Sequence, residues 1–204
     1  MLQGLRNIWR SEFFKNVATL LSGTTLAQAF SVIIYIFLGR IYGDEDFGLF
    51  GLYMNILNIT IIFATGKYEL AILLPRSDKA SVNVVALSAL ISLGVSLVLL
   101  VLVSFMGSAI GRWLGSEAIV PWLWLIPLST LLVGLFQSLR NYSNRQKRYK
   151  LIAGANIGQS VMNSLTKLGL GLLLAGAAGL ILGALVGQVV GFTLFLIVLL
   201  RLNR

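Results

Sequence analysis

Six long apolar runs, separated by short polar connections, constrain the fold of this chain more than any other feature. A helix that spans a membrane needs about 20 mostly apolar residues. The runs of this length are residues 17–39, 48–74, 82–106, 120–139, 151–174 and 179–200. Only 11% of the residues are charged, compared with about 25% in ordinary soluble domains. The sequence therefore predicts an all-α integral membrane protein, with six transmembrane helices in a single domain over residues 1–204.

Cysteine and histidine are both absent, which excludes several kinds of functional site. The chain can build neither disulfides nor cysteine–histidine metal sites, and it has no thiol or imidazole for catalysis. The formal net charge is +9, but the basic residues lie at the ends of apolar runs rather than on a soluble face that would bind nucleic acid. Anionic membrane lipids account for them better. We therefore expect no enzyme activity, no cofactor, no metal and no nucleic-acid partner.

Basic residues are concentrated on one predicted side of the membrane. Short cytoplasmic loops retain lysine and arginine. The two ends of the chain, together with the connections after the second and fourth runs, hold most of these residues, whereas the other side holds Arg40 and Arg112. This distribution predicts a multi-pass protein of the cell (inner) membrane with both termini in the cytoplasm.

An acidic triplet, Asp44, Glu45 and Asp46, separates the first two runs. Asp44 can cap the second helix, and carboxylates in a first turn are favoured by the helix dipole. An Asp-x-Asp triplet could instead chelate a metal for glycosyl transfer, as in an integral-membrane enzyme of glycan assembly. We favour the capping interpretation.

The sixth run carries four glycines spaced four residues apart, which a helix aligns along one side. Such a ridge allows another helix backbone to approach closely, as small residues do where helices pack in membranes. The predicted packing residues are Gly179, Gly183, Gly187 and Gly191.

Charged and amide side chains within the apolar runs are the candidate binding residues. A charge at the middle of a membrane helix costs about 2.5–3.5 kcal/mol on insertion scales, so it normally faces protein or a water-filled cavity. Lys67 and Lys167 are two such residues. Gln159, Asn163 and Lys167 recur every four residues and share one face of the fifth helix, and Asn58 adds an amide to the second. A cationic, amide-lined cavity suits an anionic ligand rich in hydroxyl groups.

Lys67 and Glu69 do not form an ion pair if the second helix is regular. Two residues advance the side-chain direction by about 200°, so the two side chains point to nearly opposite sides. Their pairing would need local unwinding, for which Gly66 is the candidate position. The partner of Glu69 is therefore left open.

Three segments of the chain carry a family resemblance. They are "FLGRIYGDEDFGLFGLY" after the first run, "GKYELAILLPRSD" at the end of the second, and "NRQKRYKLIAGANIGQSVMNSLTKLGLGLLLAGAAGLILGALVGQVVG" over the fifth and sixth runs. In order and spacing they resemble the polysaccharide flippases of the multidrug/oligosaccharidyl-lipid/polysaccharide exporter superfamily. By this resemblance Arg40 and Glu69 occupy characteristic positions of the family pattern, while a substrate role for Lys67 or Lys167 follows from depth and face.

The resemblance implies a two-lobe transporter that works by alternating access. Its substrate would be an undecaprenyl-pyrophosphate-linked glycan, a precursor of cell-surface polymers such as lipopolysaccharide O-antigen or exopolysaccharide. Members of the superfamily have about twice as many spans as this chain, which is therefore similar to the N-terminal six-helix lobe alone. The expected partners are membrane lipids, the lipid-linked glycan, and either a missing C-terminal lobe or a second copy.

Two further functions are alternatives at this point. Half of a drug or cation antiporter would need carboxylates to attract its cargo, and Glu69 is the one acid within the apolar runs. A noncatalytic membrane scaffold from a truncated gene would use the glycine ridge as its main functional surface.

Overall fold

The computed structural model describes residues 12–75, 77–173 and 176–202, with only the backbone described at residues 12–24, 26, 27 and 198–202. The two chain termini, which are predicted to be cytoplasmic, lie outside the described residues. Within them the secondary structure is helical, which confirms the all-α class. The helices are α1 (Glu12–Ile41), α2 (Asp44–Thr65), α3 (Tyr68–Ala71), α4 (Asp78–Trp113), α5 (Val120–Leu123), α6 (Leu125–Arg145), α7 (Tyr149–Leu173) and α8 (Ala178–Leu202), and a 3₁₀ turn, Glu117–Ile119, precedes α5.

Three helical segments are long and apolar enough to cross a membrane: Asp44–Thr65, Asp78–Trp113 and, within α8, Ala178–Ile197. A fourth is the pair Glu117–Leu123 and Leu125–Arg145, if these parts, bent by 50°, form one span. In α1 the apolar stretch Gln28–Ile41 is shorter. By length and composition, three or four candidate spans are therefore found in the described part of the chain, and the number six stays a prediction.

The second predicted run, 48–74, is not one continuous helix. α2 ends at Thr65, and the next two residues, Gly66 (φ 52°) and Lys67 (φ 62°), both adopt the left-handed backbone conformation before α3 begins at Tyr68. Glycine takes this conformation freely, whereas a lysine is strained by it. The break leaves the Lys67 side chain exposed and Glu69 buried, so the two residues are not paired.

The acidic triplet caps α2 in a different way from the one the sequence predicted. The N-cap residue is Gly43 rather than Asp44, and the Gly43 backbone N–H donates to Asp46 Oδ2 over 3.1 Å. Asp44 and Glu45 lie in the first turn, where the helix dipole favours their charge. Asp46 reaches back to the N-cap from the third helical position, which is the acidic half of a capping box.

Hydroxyl groups join α6 to α2 and α4. Lipid offers no hydrophobic driving force between helices, so small residues and buried hydrogen bonds determine how they pack. A Cβ on Gly134 of α6 would lie 2.5 Å from Ser92 Oγ of α4, so the glycine is needed for this close approach. The hydroxyl pairs are Tyr53–Ser129 (2.8 Å), Thr60–Thr130 (2.9 Å) and Ser88–Ser138 (2.8 Å).

The glycine ridge of α8 packs directly on Gln159, Asn163 and Lys167 of α7, which we call the polar row. A Cβ placed on Gly187 would lie 2.7 Å from Asn163 Cβ, closer than side-chain carbons approach one another. The two helices run antiparallel, and the rows stay in register because both repeat every four residues. The facing pairs are Gly179–Gly171, Gly183–Lys167, Gly187–Asn163 and Gly191–Gln159.

Substituting Gly187→Ala should lower the free energy of unfolding by about 1–3 kcal/mol, because the added methyl overpacks the contact with Asn163. The matched control is Gly154→Ala in α7, where an added Cβ meets no atom within 4 Å. This control should be neutral or stabilise by up to about 1 kcal/mol through helix propensity. Reversible unfolding in mixed micelles measures both, and equal effects of the two substitutions would contradict the register.

Candidate functional site

An open cavity of about 640 Å³ lies between α1, α6 and α7, and we call it the polar groove. Its size is within the range of ordinary ligand sites, about 300–1,000 Å³. Apart from Val32 its lining consists of polar, aromatic and basic side chains, which are uncommon in helices this apolar. The lining residues are Gln28, Ser31, Val32, Tyr35, Arg140, Asn156, Gln159, Ser160 and Asn163.

α7 supplies most of the amides of the polar groove. Asn156, Gln159 and Asn163 are three and four residues apart, so they lie along one side of the helix. The glycine ridge of α8 packs against Cα and Cβ of Asn163 and along the Gln159 side chain as far as Cδ, while both residues also line the cavity. Asn163 Oδ1 is buried and accepts no hydrogen bond from the described residues. It is an acceptor that a hydroxyl-bearing ligand can satisfy.

α1 closes the opposite side of the polar groove. Ser31 Oγ and Ser160 Oγ are hydrogen-bonded at 2.6 Å, which ties α1 to α7. Gln28 and Tyr35 lie about one helical turn on either side of Ser31, and both line the cavity. The polar groove therefore has amides on both walls and a hydroxyl contact between them.

Arg140 is the cation among the described residues of the polar groove, whereas the sequence predicts it to belong to the basic connection after the fourth run. It lies in α6 and also lines two adjoining cavities of about 230 and 270 Å³. A signal was present in the sequence, because Gln137, Arg140, Asn141 and Asn144 recur at helical spacing and form a polar stripe. The stripe was missed because its residues lie at the predicted end of an apolar run.

Glu69 lines the 270 Å³ cavity together with Gln137, Arg140, Asn141 and Asn144. Its side chain is 4% exposed, and Oε2 accepts no hydrogen bond from the described residues. A buried carboxylate without full hydrogen bonding is costly. Arg140 lines the same cavity and is the basic residue among its described lining.

Lys167 is buried beside the polar groove and does not line it. Its side chain is 3% exposed. Nζ donates to Tyr35 Oη over 3.2 Å, and it lies 4.2 Å from the Phe50 ring centroid and 5.2 Å from that of Tyr35. Aromatic faces attract a cation at such distances, and no carboxylate of the described residues forms an ion pair with it. Tyr35 thus separates this cation from the cavity.

The remaining sequence-predicted residues lie apart from the polar groove. Arg40 is exposed at the end of α1, Asn58 is exposed on α2, and Lys67 is exposed at the break between α2 and α3. The structure therefore brings Gln159 and Asn163 into one cavity and Lys167 to its edge. Lys67, predicted as a binding residue together with Lys167, does not lie at this cavity.

The match to a known family agrees with this membrane architecture. A family model described as "Polysaccharide biosynthesis protein" matches residues 37–202. The chain belongs to this family. Searches of the curated proteins and of the solved structures returned no match. The matched range contains α2 to α8, and with them Arg140 and the amides of α7, so this polysaccharide biosynthesis protein has most of its polar groove within the family region.

Removing the Tyr35 hydroxyl tests how Lys167 is held. Tyr35→Phe keeps the ring but removes the acceptor of a buried ammonium, so it should lower the free energy of unfolding by about 1–3 kcal/mol. In a Lys167→Met background the same change should cost close to nothing, because the ammonium is gone. Unfolding of the four proteins of this double-mutant cycle measures the coupling. An equal cost of Tyr35→Phe in both backgrounds would contradict the contact.

Proposed function

We propose that this polysaccharide biosynthesis protein is a lobe of a flippase that moves lipid-linked polysaccharide or oligosaccharide precursors across the cell membrane by alternating access. The observation that carries the proposal is the polar groove, in which amides, hydroxyls and Arg140 line one open cavity of a highly apolar helical chain. Membership of the polysaccharide biosynthesis family supports a role in glycan assembly.

The chemistry of the groove suits a sugar joined to a pyrophosphate. Amide groups of Gln159 and Asn163 both donate and accept hydrogen bonds, as sugar hydroxyls require. The planar guanidinium of Arg140 offers two parallel donors to phosphate oxygens, a pairing that is stronger than a neutral hydrogen bond. Lys167, held behind Tyr35, adds positive potential without occupying the cavity. An undecaprenyl-pyrophosphate-linked glycan combines these features.

The groove is open, and alternating access requires a second wall. We place that wall across α1 and α7, where it would be supplied by a C-terminal lobe or by a second copy of this chain. The function is transport without chemical conversion. Lys67, Asn58 and Arg40 lie outside the groove in this conformation, so we give them no ligand contact in it.

Three other functions fit the structure less well. In a cation antiporter the buried Glu69 would attract the cargo, but Arg140 lines the same cavity and opposes a cation. In a metal-dependent glycosyl transfer enzyme Asp46 would be a ligand, but Oδ2 of this residue accepts the capping hydrogen bond from Gly43. In a scaffold the glycine ridge would face a partner, but it is covered by α7.

Arg140→Gln should reduce both export and ligand binding by about tenfold or more, because it removes a charge-assisted contact to phosphate. Arg140→Lys should retain part of both activities. The control is Arg112→Gln, an exposed arginine in the last turn of α4. We would measure complementation of a flippase-deficient strain by the full-length protein as its gene encodes it, and binding of undecaprenyl pyrophosphate in uncharged detergent. Undiminished export and binding in Arg140→Gln would refute the proposed role of the groove.

A further inference from the structure

A second concave surface lies at the turn between α6 and α7, separate from the polar groove. It encloses about 510 Å³ and is lined by Asp78, Arg145, Gln146, Lys147 and Arg148. None of these residues lines the polar groove. We call this surface the basic cavity, because three of its five residues are cations and one is an acid.

Asp78, the acid of the basic cavity, forms an ion pair with Arg145. Arg145 Nη2 and Nε approach Asp78 Oδ1 at 3.3 and 3.4 Å, and Nη1 approaches the Leu73 carbonyl oxygen at 3.5 Å. These contacts anchor the Arg145 guanidinium across two connections of the chain, and its side chain is 17% exposed while that of Asp78 is 75% exposed. Asp78 therefore positions one cation, and it is the one acid among the five lining residues against three cations.

The backbone of the turn places Lys147 in a conformation that normally belongs to glycine. Lys147 has φ 56°, in the left-handed region. The Arg148 N–H donates to the Ser143 carbonyl (2.9 Å) and the Lys147 N–H to that of Asn144 (3.0 Å). This pair of bonds defines a Schellman motif, whose left-handed position is usually glycine. A lysine there costs stability, and strained residues of this kind cluster at functional sites.

The start of α7 adds to the positive field. The N-terminus of a helix carries a partial positive charge that favours anions. The first turn of α7 contains no acidic residue, and it contains Lys150. The membrane-topology rule explains why basic residues collect on this side of the bundle. That rule depends only on how many basic residues lie on one side of the membrane. It does not explain why these residues line a concave surface, or why Lys147 occupies a position that usually belongs to glycine.

We infer that the basic cavity binds a phosphate-bearing anion. Arg145 and Arg148 offer guanidinium donors, Lys147 offers an ammonium, and the α7 N-terminus adds its partial charge. The ligand is either the phosphate headgroup of an anionic membrane lipid or a free phosphate, since both present the same oxygens. The site is independent of the polar groove, so its existence does not rest on the flippase proposal.

The sharpest test replaces Lys147 by glycine. Lys147→Gly should raise the melting temperature, because the left-handed strain is relieved, and should weaken anion binding about fivefold, because one cation near the anion is lost. Lys147→Gly combined with Arg148→Gln should weaken it further, by about 25-fold. A substitution that only repaired the turn would raise stability and leave binding unchanged.

Two variants serve as controls. Lys67→Gly relieves the same left-handed strain at the break after α2, outside the basic cavity, so it should raise the melting temperature without weakening anion binding. Lys79→Gln removes an exposed cation next to Asp78 that does not line the cavity, so it should change binding less than twofold.

Binding would be measured by calorimetry on the purified full chain, with sodium phosphate in uncharged detergent and with vesicles of phosphatidylglycerol or phosphatidylcholine. A lipid headgroup is supported if the protein binds phosphatidylglycerol vesicles more tightly than phosphatidylcholine vesicles and Lys147→Gly weakens that binding. A free anion is supported if the protein binds sodium phosphate and Lys147→Gly weakens that binding. The inference would be overturned if the protein showed no preference for phosphatidylglycerol over phosphatidylcholine and also bound no phosphate. It would likewise be overturned if Lys147→Gly and the original chain bound these anions equally. The part of the binding that Lys147→Gly weakens should be the same in the presence and absence of Arg140→Gln, which separates it from any phosphate binding in the groove.

Discussion

The contact between α7 and α8 is the constraint on which the rest of this structure depends. α7 carries amides and a lysine through an apolar environment, where unsatisfied polar groups are expensive. The glycines of α8 have no side chains, so its backbone lies directly against the stems of Gln159, Asn163 and Lys167. One side of the polar row is thereby sealed by protein. Gln159 and Asn163 line the cavity between α7, α1 and α6, whereas the Lys167 ammonium meets Tyr35 of α1 and Phe50 of α2.

The two cations near this cavity, the exposed Arg140 and the buried Lys167, have different surroundings. Arg140 lines three cavities, one of them together with Glu69, so its side chain lies in polar surroundings. Lys167 is enclosed by aromatic rings and by the Tyr35 hydroxyl. The Arg140 guanidinium can therefore contact a ligand in the groove, whereas the Lys167 ammonium is held at a fixed position by the aromatic rings. Both cations lie within the part of the chain that matches the polysaccharide biosynthesis family.

The other half of the bundle depends on hydroxyl groups rather than on amides. Ser88 and Ser92 of α4 lie against α6, close to Ser138 and Gly134. These side chains are short, and Ser88 and Ser138 bond to each other, so α4 and α6 pack closely here. α6 belongs to both halves, because its stripe with Gln137 and Arg140 faces the polar groove and its hydroxyl side faces α2 and α4.

The sequence by itself determined the all-α class, the membrane character and the polar row, because these depend on apolar length and on helical spacing alone. Gln159 and Asn163 were predicted as binding residues for that reason, and they line the polar groove. Only the tertiary structure decided that Arg140 enters the groove, that Lys167 is withdrawn behind Tyr35, and that Lys67 is exposed at a helix break. Those outcomes depend on where a helix ends and on which neighbour covers each side chain. A helical period assigns a residue to a face, but it does not say whether that face meets glycine, an aromatic ring or open space.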